Sequence, residues 1–122
     1  MKICAISDLH GILPSVPECD VLCIAGDVVD LLVQRSSDES DAWWSTAFIT
    51  WVNKLSCEKI FVVPGNHDIY IEQLYDGLIK DITLQEFKNK ISLLTNNKIV
   101  FLIDELYAVS YTHLTLPTSD LV

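Results

Sequence analysis

The chain has 122 residues, with 17 acidic and 8 basic side chains and a formal net charge of −9 at pH 7. At roughly 100–200 residues per domain this length suits one domain, and hydrophobic residues make up 50% of it, enough for a buried core. The acidic balance disfavours sequence-independent nucleic-acid binding, which relies on Lys and Arg neutralising phosphates. It leaves a phosphate substrate open, because bound divalent cations reverse the local field.

The chain opens Met1-Lys2-Ile3 and runs straight into a short apolar stretch, without the apolar core and cleavage site of a signal peptide. No apolar run approaches the roughly 18–20 residues of a membrane span. Cys4, Cys19, Cys23 and Cys57 are irregularly spaced and form no Cys-x-x-Cys pair. Cys4 and Cys23 fall inside predicted strands, where a thiol acts as a small buried hydrophobe. Reduced, structural cysteines in a cytoplasmic protein are the simplest expectation, with a zinc or disulfide role as the alternative.

Three short apolar runs read as strands: Ile3-Cys4-Ala5-Ile6, Val21-Leu22-Cys23-Ile24 and Ile60-Phe61-Val62-Val63. Their continuity predicts burial on both faces. Residues 8–20 form a loop with Pro14 and Pro17, and residues 36–40 a short polar loop. Between the second and third strands, Trp44, Phe48, Trp51, Val52 and Leu55 recur at helical steps. Ser40 or Asp41 is the expected N-cap, and Trp43 falls off the stripe towards solvent. Strand, helix, strand implies a right-handed crossover and a parallel pair. Residues 69–75 are expected to form a helical turn. Thr83-Leu84-Gln85-Glu86 is a capping-box pattern opening a helix with Leu84, Phe87, Ile91 and Leu94 on one face, ended by Asn96-Asn97. Residues 99–103 and 106–109 read as two further strands joined at Asp104-Glu105.

Each of the first three strands ends in polar residues of matching chemistry. Asp8-Leu9-His10-Gly11 follows the first, Gly26-Asp27-Val28-Val29-Asp30 the second and Gly65-Asn66-His67-Asp68 the third. In extended geometry Asp8 and His10 point the same way and converge on one ion. Gly26 lets the backbone turn beneath Asp27, whose carboxylate can bridge two cations, and Asn66 offers a neutral oxygen. This donor set suits Mn, Fe, Zn or Ni. In open α/β sheets such a site lies at the carboxyl ends of the strands.

Asp8-x-His10, Gly26-Asp27-x-x-Asp30 and Gly65-Asn66-His67-Asp68 resemble the first three motifs of the calcineurin-like metallophosphoesterase superfamily, over residues 1–108. The resemblance implies the N-terminal part of an α/β sandwich of two β-sheets flanked by helices, with the second sheet largely missing. It also implies hydrolysis of a small phosphodiester or phosphomonoester by two divalent metal ions about 3.5–4 Å apart. By that resemblance Asp8, His10 and Asp27 hold the first metal, and Asp27 and Asn66 share the second with later histidines. Asn66 and His67 face the substrate; His67 protonates the leaving oxygen and Asp30 orients it by a hydrogen bond.

The family's later motifs, Gly-His and Gly-His-x-His, do not occur, and the third of the three histidines is His113. The chain as given is therefore expected to be an inactive fragment of an active parent. Residues 109–122 resemble translated sequencing-adapter read-through, which places the end of native information near Ala108. Ordinary turn chemistry accounts for Asp20 and Asp104. Asp68 is equally readable as a helix N-cap or as support behind the ligands. A protein-binding scaffold of the same fold is the competing function, but a scaffold has no use for His67. Residues 15–19 and 31–38 are expected to border the pocket, with Arg35 as their one cation, so the sequence names no particular substrate.

Overall fold

A computed structural model describes residues 1–103. The expected strand at residues 106–109, its connection at 104–105, and residues 109–122 with His113 lie outside the described residues. The elements run β1 (Ile3–Ser7), β2 (Val21–Ala25), α1 (Ser37–Trp43), a π-helical turn (Trp44–Phe48), α2 (Ile49–Asn53), β3 (Lys59–Val63), α3 (Ile69–Tyr75), α4 (Leu84–Leu94) and β4 (Ile99–Phe101). The described strands form one four-stranded sheet in the order β1-β2-β3-β4, and every neighbouring pair is parallel.

Right-handed crossovers between sequential neighbours place successive connections on the same face of a sheet. The burial pattern agrees. Leu22, Ile24, Ile60 and Val62 are sealed beneath the helices, while Ala5, Ser7, Ala25 and Val63 on the other face are exposed. The expectation of strands covered on both faces is therefore corrected for the described residues. A run of apolar side chains carries no record of which face its neighbours cover.

The covered face packs on an aromatic cluster. Trp44 is fully buried, with ring centroids 4.8 Å from Phe48 and 5.6 Å from Phe101. Phe87 of α4 lies 5.6 Å from Phe101 and 5.6 Å from Tyr70 of α3. Trp43 is also buried, against Trp44 and Phe48, contrary to its expected exposure. The π-helical turn that begins at Trp44 departs from the 3.6-residue period on which that expectation rested.

The first helix begins earlier than the sequence indicates. Ser36 is the N-cap and accepts from Glu39 N at 3.2 Å. Ser40, the expected cap, is buried inside the helix and donates to Val33 O at 2.8 Å. Either serine satisfies the local rule, and the course of the preceding loop selects Ser36. Asp41 instead joins three helices: it accepts from Tyr70 Oη at 2.7 Å and from Lys90 Nζ at 2.9 Å. Burial raises the Asp41 carboxyl, but Lys90 and Tyr70 outweigh it and hold the group below its ordinary value.

The capping box is formed as expected. Thr83 Oγ1 accepts from Glu86 N at 3.1 Å, and Thr83 N donates to Glu86 Oε1 at 3.0 Å. Thr83→Ala removes the hydroxyl acceptor and is expected to cost about 1 kcal/mol, read as a lower urea midpoint at unchanged slope. All four cysteines named above are free thiols. Burial, with Cys4 and Cys57 alongside, pushes the Cys19 thiol up to about 11, which makes it a poor nucleophile. No helix among the described residues is long and apolar enough to cross a membrane.

Candidate metal centre

The register pairs Ser7 with Ala25 and Ala25 with Val63, so β1, β2 and β3 end level. Pairing continues into the loops. Asp8 N donates to Gly26 O at 3.1 Å, His10 N to Asp27 O at 2.9 Å and Gly11 N to Val28 O at 2.9 Å. Gly26 N donates to Val63 O at 2.7 Å, which ties the second loop to the third strand. The loop after β1 is thereby fixed against the loop after β2.

Asp8, His10 and Asp27 each point a ligand atom to one place, all within 4.8 Å of one another. Extended geometry is not the cause. Asp8, His10 and Asp27 adopt the left-handed conformation, with φ of 55°, 48° and 52°. An L residue there costs about 1–2 kcal/mol, and Asp and His tolerate it better than most. Three converging side chains on a disfavoured backbone region show that the loops impose the convergence. His10 Nδ1 is buried and has no hydrogen-bond partner among the described residues. A buried polar atom left unsatisfied carries a desolvation cost. Two carboxylates beside such an imidazole fit a divalent cation, which would meet the needs of all three groups.

The third loop completes the edge. Asn66 and His67 stand exposed on the turn after Gly65. His67 N donates to Asp27 Oδ1 at 2.9 Å, and the His67 ring meets the His10 ring edge-on, with centroids 5.6 Å apart and an interplanar angle of 78°. Gly65 is required at its position, because a Cβ there would meet Asp27 N at 2.5 Å and Asp27 Cγ at 2.9 Å. The family model described as calcineurin-like phosphoesterase matches residues 1–117. The chain belongs to the calcineurin-like phosphoesterase family. No curated protein matches it.

The expected hydrogen bond between Asp30 and the His67 ring is not formed among the described residues. Asp30 Oδ1 accepts from Leu32 N at 2.8 Å instead. The contact is a local Asx turn, which competes for a carboxylate near its own backbone. Asp30 also packs against the first loop, since a Cβ on Gly11 would meet Asp30 Cα at 2.6 Å.

Residues 15–19 do not border this centre. Residues 16–19 share a cavity with residues 54–57, which just precede β3, so they lie at the amino edge of the parallel sheet, opposite Asp8, His10 and Asp27. Val16 and Cys19 line a cavity of about 430 Å³ there with Lys54 and Cys57. A second cavity of about 390 Å³ lies beside the Gly65 turn, between Val63, Ile71 and Leu102.

Asp68 is the site residue whose function the sequence left divided. It occupies the N-cap position of α3 but makes no side-chain cap bond. Its carboxylate is buried, and it accepts from Val28 N, Val29 N and Gly65 N. Burial pushes the carboxyl above its ordinary value; the N–H donors oppose that, and the Asp27 charge adds to it. Nothing in the sequence pairs Asp68 with Val28, 40 residues away.

Proposed function

We propose that the chain carries part of the active site of a metal-dependent phosphoesterase acting on a small phosphodiester or phosphomonoester. The convergence of Asp8, His10 and Asp27 to within 4.8 Å is the observation that carries this reading. Asp8, His10 and Asp27 would hold one divalent cation of the Mn, Fe, Zn or Ni type; Asp27 and Asn66 would contribute to a second. Bound cations would supply Lewis-acid activation of the phosphoester and neutralise charge on its oxygens. Asn66 and His67 lie on the exposed turn beside that centre and would contact the substrate. His67 would donate a proton to the leaving oxygen. Asp30 packs against Gly11 of the first loop. The chain's four free thiols fit a reducing, cytoplasmic setting. The net charge of −9 favours a small substrate over nucleic acid.

The test is Mn²⁺ titration of the 122-residue chain and of Asp8→Gly, paired with thermal unfolding in chelator. Asp8 is exposed, left-handed, and among the described residues its side chain accepts only from Ser7 Oγ, at 3.1 Å. Glycine relieves the backbone and removes one of two neighbouring carboxylates. Asp8→Gly is therefore expected to bind Mn²⁺ more weakly while the metal-free protein gains about 0.5–1 kcal/mol. Unchanged Mn²⁺ affinity in the variant would sink the site.

A further inference from the structure

Asp68 makes hydrogen bonds that no single-oxygen acceptor can reproduce. Oδ1 accepts from Val28 N and Val29 N, each at 2.9 Å. Oδ2 accepts from Gly65 N at 2.8 Å and from Val28 N at 3.2 Å. Both oxygens face N–H donors, so each serves as an acceptor. One side chain, 1% exposed, thus joins the loop after β2 to the loop after β3.

Asp27 sits inside that junction. The two residues that follow it in the chain give their N–H groups to Asp68. On the opposite side, Gly65 donates to Asp68 while its Cα lies against the Asp27 carboxylate. His67 N then holds Asp27 Oδ1 at 2.9 Å. Asp27 is left-handed, a conformation that needs support from its surroundings. The donors that Asp68 takes up are the ones flanking it.

We propose that Asp68 is a positioning residue of the metal centre: its buried carboxylate locks the second and third loops together and so sets the direction in which Asp27 presents its free oxygen. The proposal rests on the reading of Asp8, His10 and Asp27 as cation ligands. Asp68 would not touch the ion, since its oxygens are taken up by Val28 N, Val29 N and Gly65 N. Its effect passes through the backbone of residues 28, 29 and 65.

The experiment compares the 122-residue chain with Asp68→Asn, using two readouts on each. The first is Mn²⁺ affinity by titration. The second is amide hydrogen exchange of His67 in the metal-free protein, where the N–H belongs to the Asp27 contact and not to Asp68. Asparagine turns one acceptor into an NH₂ group facing an N–H donor, so the two loops separate. Expected are a 10–100-fold loss of Mn²⁺ affinity, the usual scale for groups that orient ligands, and faster exchange confined to residues 27–29 and 65–67. Ile91→Val, a core change on α4, serves as the control for general destabilisation; it should speed exchange broadly and leave Mn²⁺ affinity unchanged. Should Asp68→Asn fail to fold, Asp68→Glu displaces the same two oxygens by one methylene and is read in the same way. A folded variant with wild-type Mn²⁺ affinity and a protected His67 amide overturns the proposal. If the unaltered chain binds no Mn²⁺, the metal reading fails, while the exchange data still decide whether Asp68 holds Asp27.

Discussion

Gly65→Ala is expected to destabilise the chain by about 3 kcal/mol, at the upper end of overpacking costs, and to remove cation binding with it. The cause is steric. The added Cβ would meet Asp27 N at 2.5 Å and Asp27 Cγ at 2.9 Å, and it would also press on Asp27 Oδ1. The obstacle is backbone and a short side chain, not the free end of a flexible one. Relief by movement is blocked on both sides: Gly65 N is bonded to Asp68 Oδ2 at 2.8 Å, and Gly65 O accepts from Asp68 N at 3.1 Å. The two loops must part, which carries Asp27 away from Asp8 and His10. In thermal unfolding the loss should appear as a fall of roughly 10–20 °C for a domain of this size. Gly77→Ala makes the contrast. Gly77 has φ +72° and nothing within 4 Å of an added Cβ. It should cost only the backbone strain, about 1 kcal/mol, with Mn²⁺ affinity intact. Equal losses in the two variants would refute the steric account.

His67→Ala should leave the metal centre standing and slow the chemistry. The contact of residue 67 with Asp27 is made by the backbone N–H, which alanine retains. The imidazole itself is exposed and turned edge-on to His10. In a chain that also carries the family's later histidine ligands, loss of a general acid should lower the rate of hydrolysis by roughly 10²–10⁴-fold. The deficit should be greatest for alkyl leaving groups and smallest for p-nitrophenolate, which leaves without protonation. Mn²⁺ affinity should stay within about two-fold of wild type, since the expected change in binding is well under 1 kcal/mol. Undiminished turnover of an alkyl ester would remove His67 from the proton-transfer role. Asp30 Oδ1 engages Leu32 N, and no hydrogen bond joins Asp30 to the His67 ring among the described residues.

Local chemistry made much of this chain legible. The apolar runs at Cys4, Leu22 and Ile60 became parallel strands because a run of that kind between turn residues has few other solutions. Thr83 and Glu86 capped α4 because the capping box is closed within three residues of sequence. Asp8, His10 and Asp27 came together because each follows a strand end, and the register of a parallel sheet levels those ends. The tertiary structure decided what depends on distant partners. It turned Asp8, His10 and Asp27 left-handed, where sequence spacing had argued for an extended pair. It buried Trp43 by inserting a π-helical turn into the helical period. It put residues 15–19 at the edge of the sheet opposite the ligands, beside Cys57. It sent the Asp68 carboxylate to Val28 and Val29 instead of to its own helix. Each of these outcomes depends on which donor, ring or loop lies nearest in space, and a contact across 40 residues leaves no trace in the spacing of either partner.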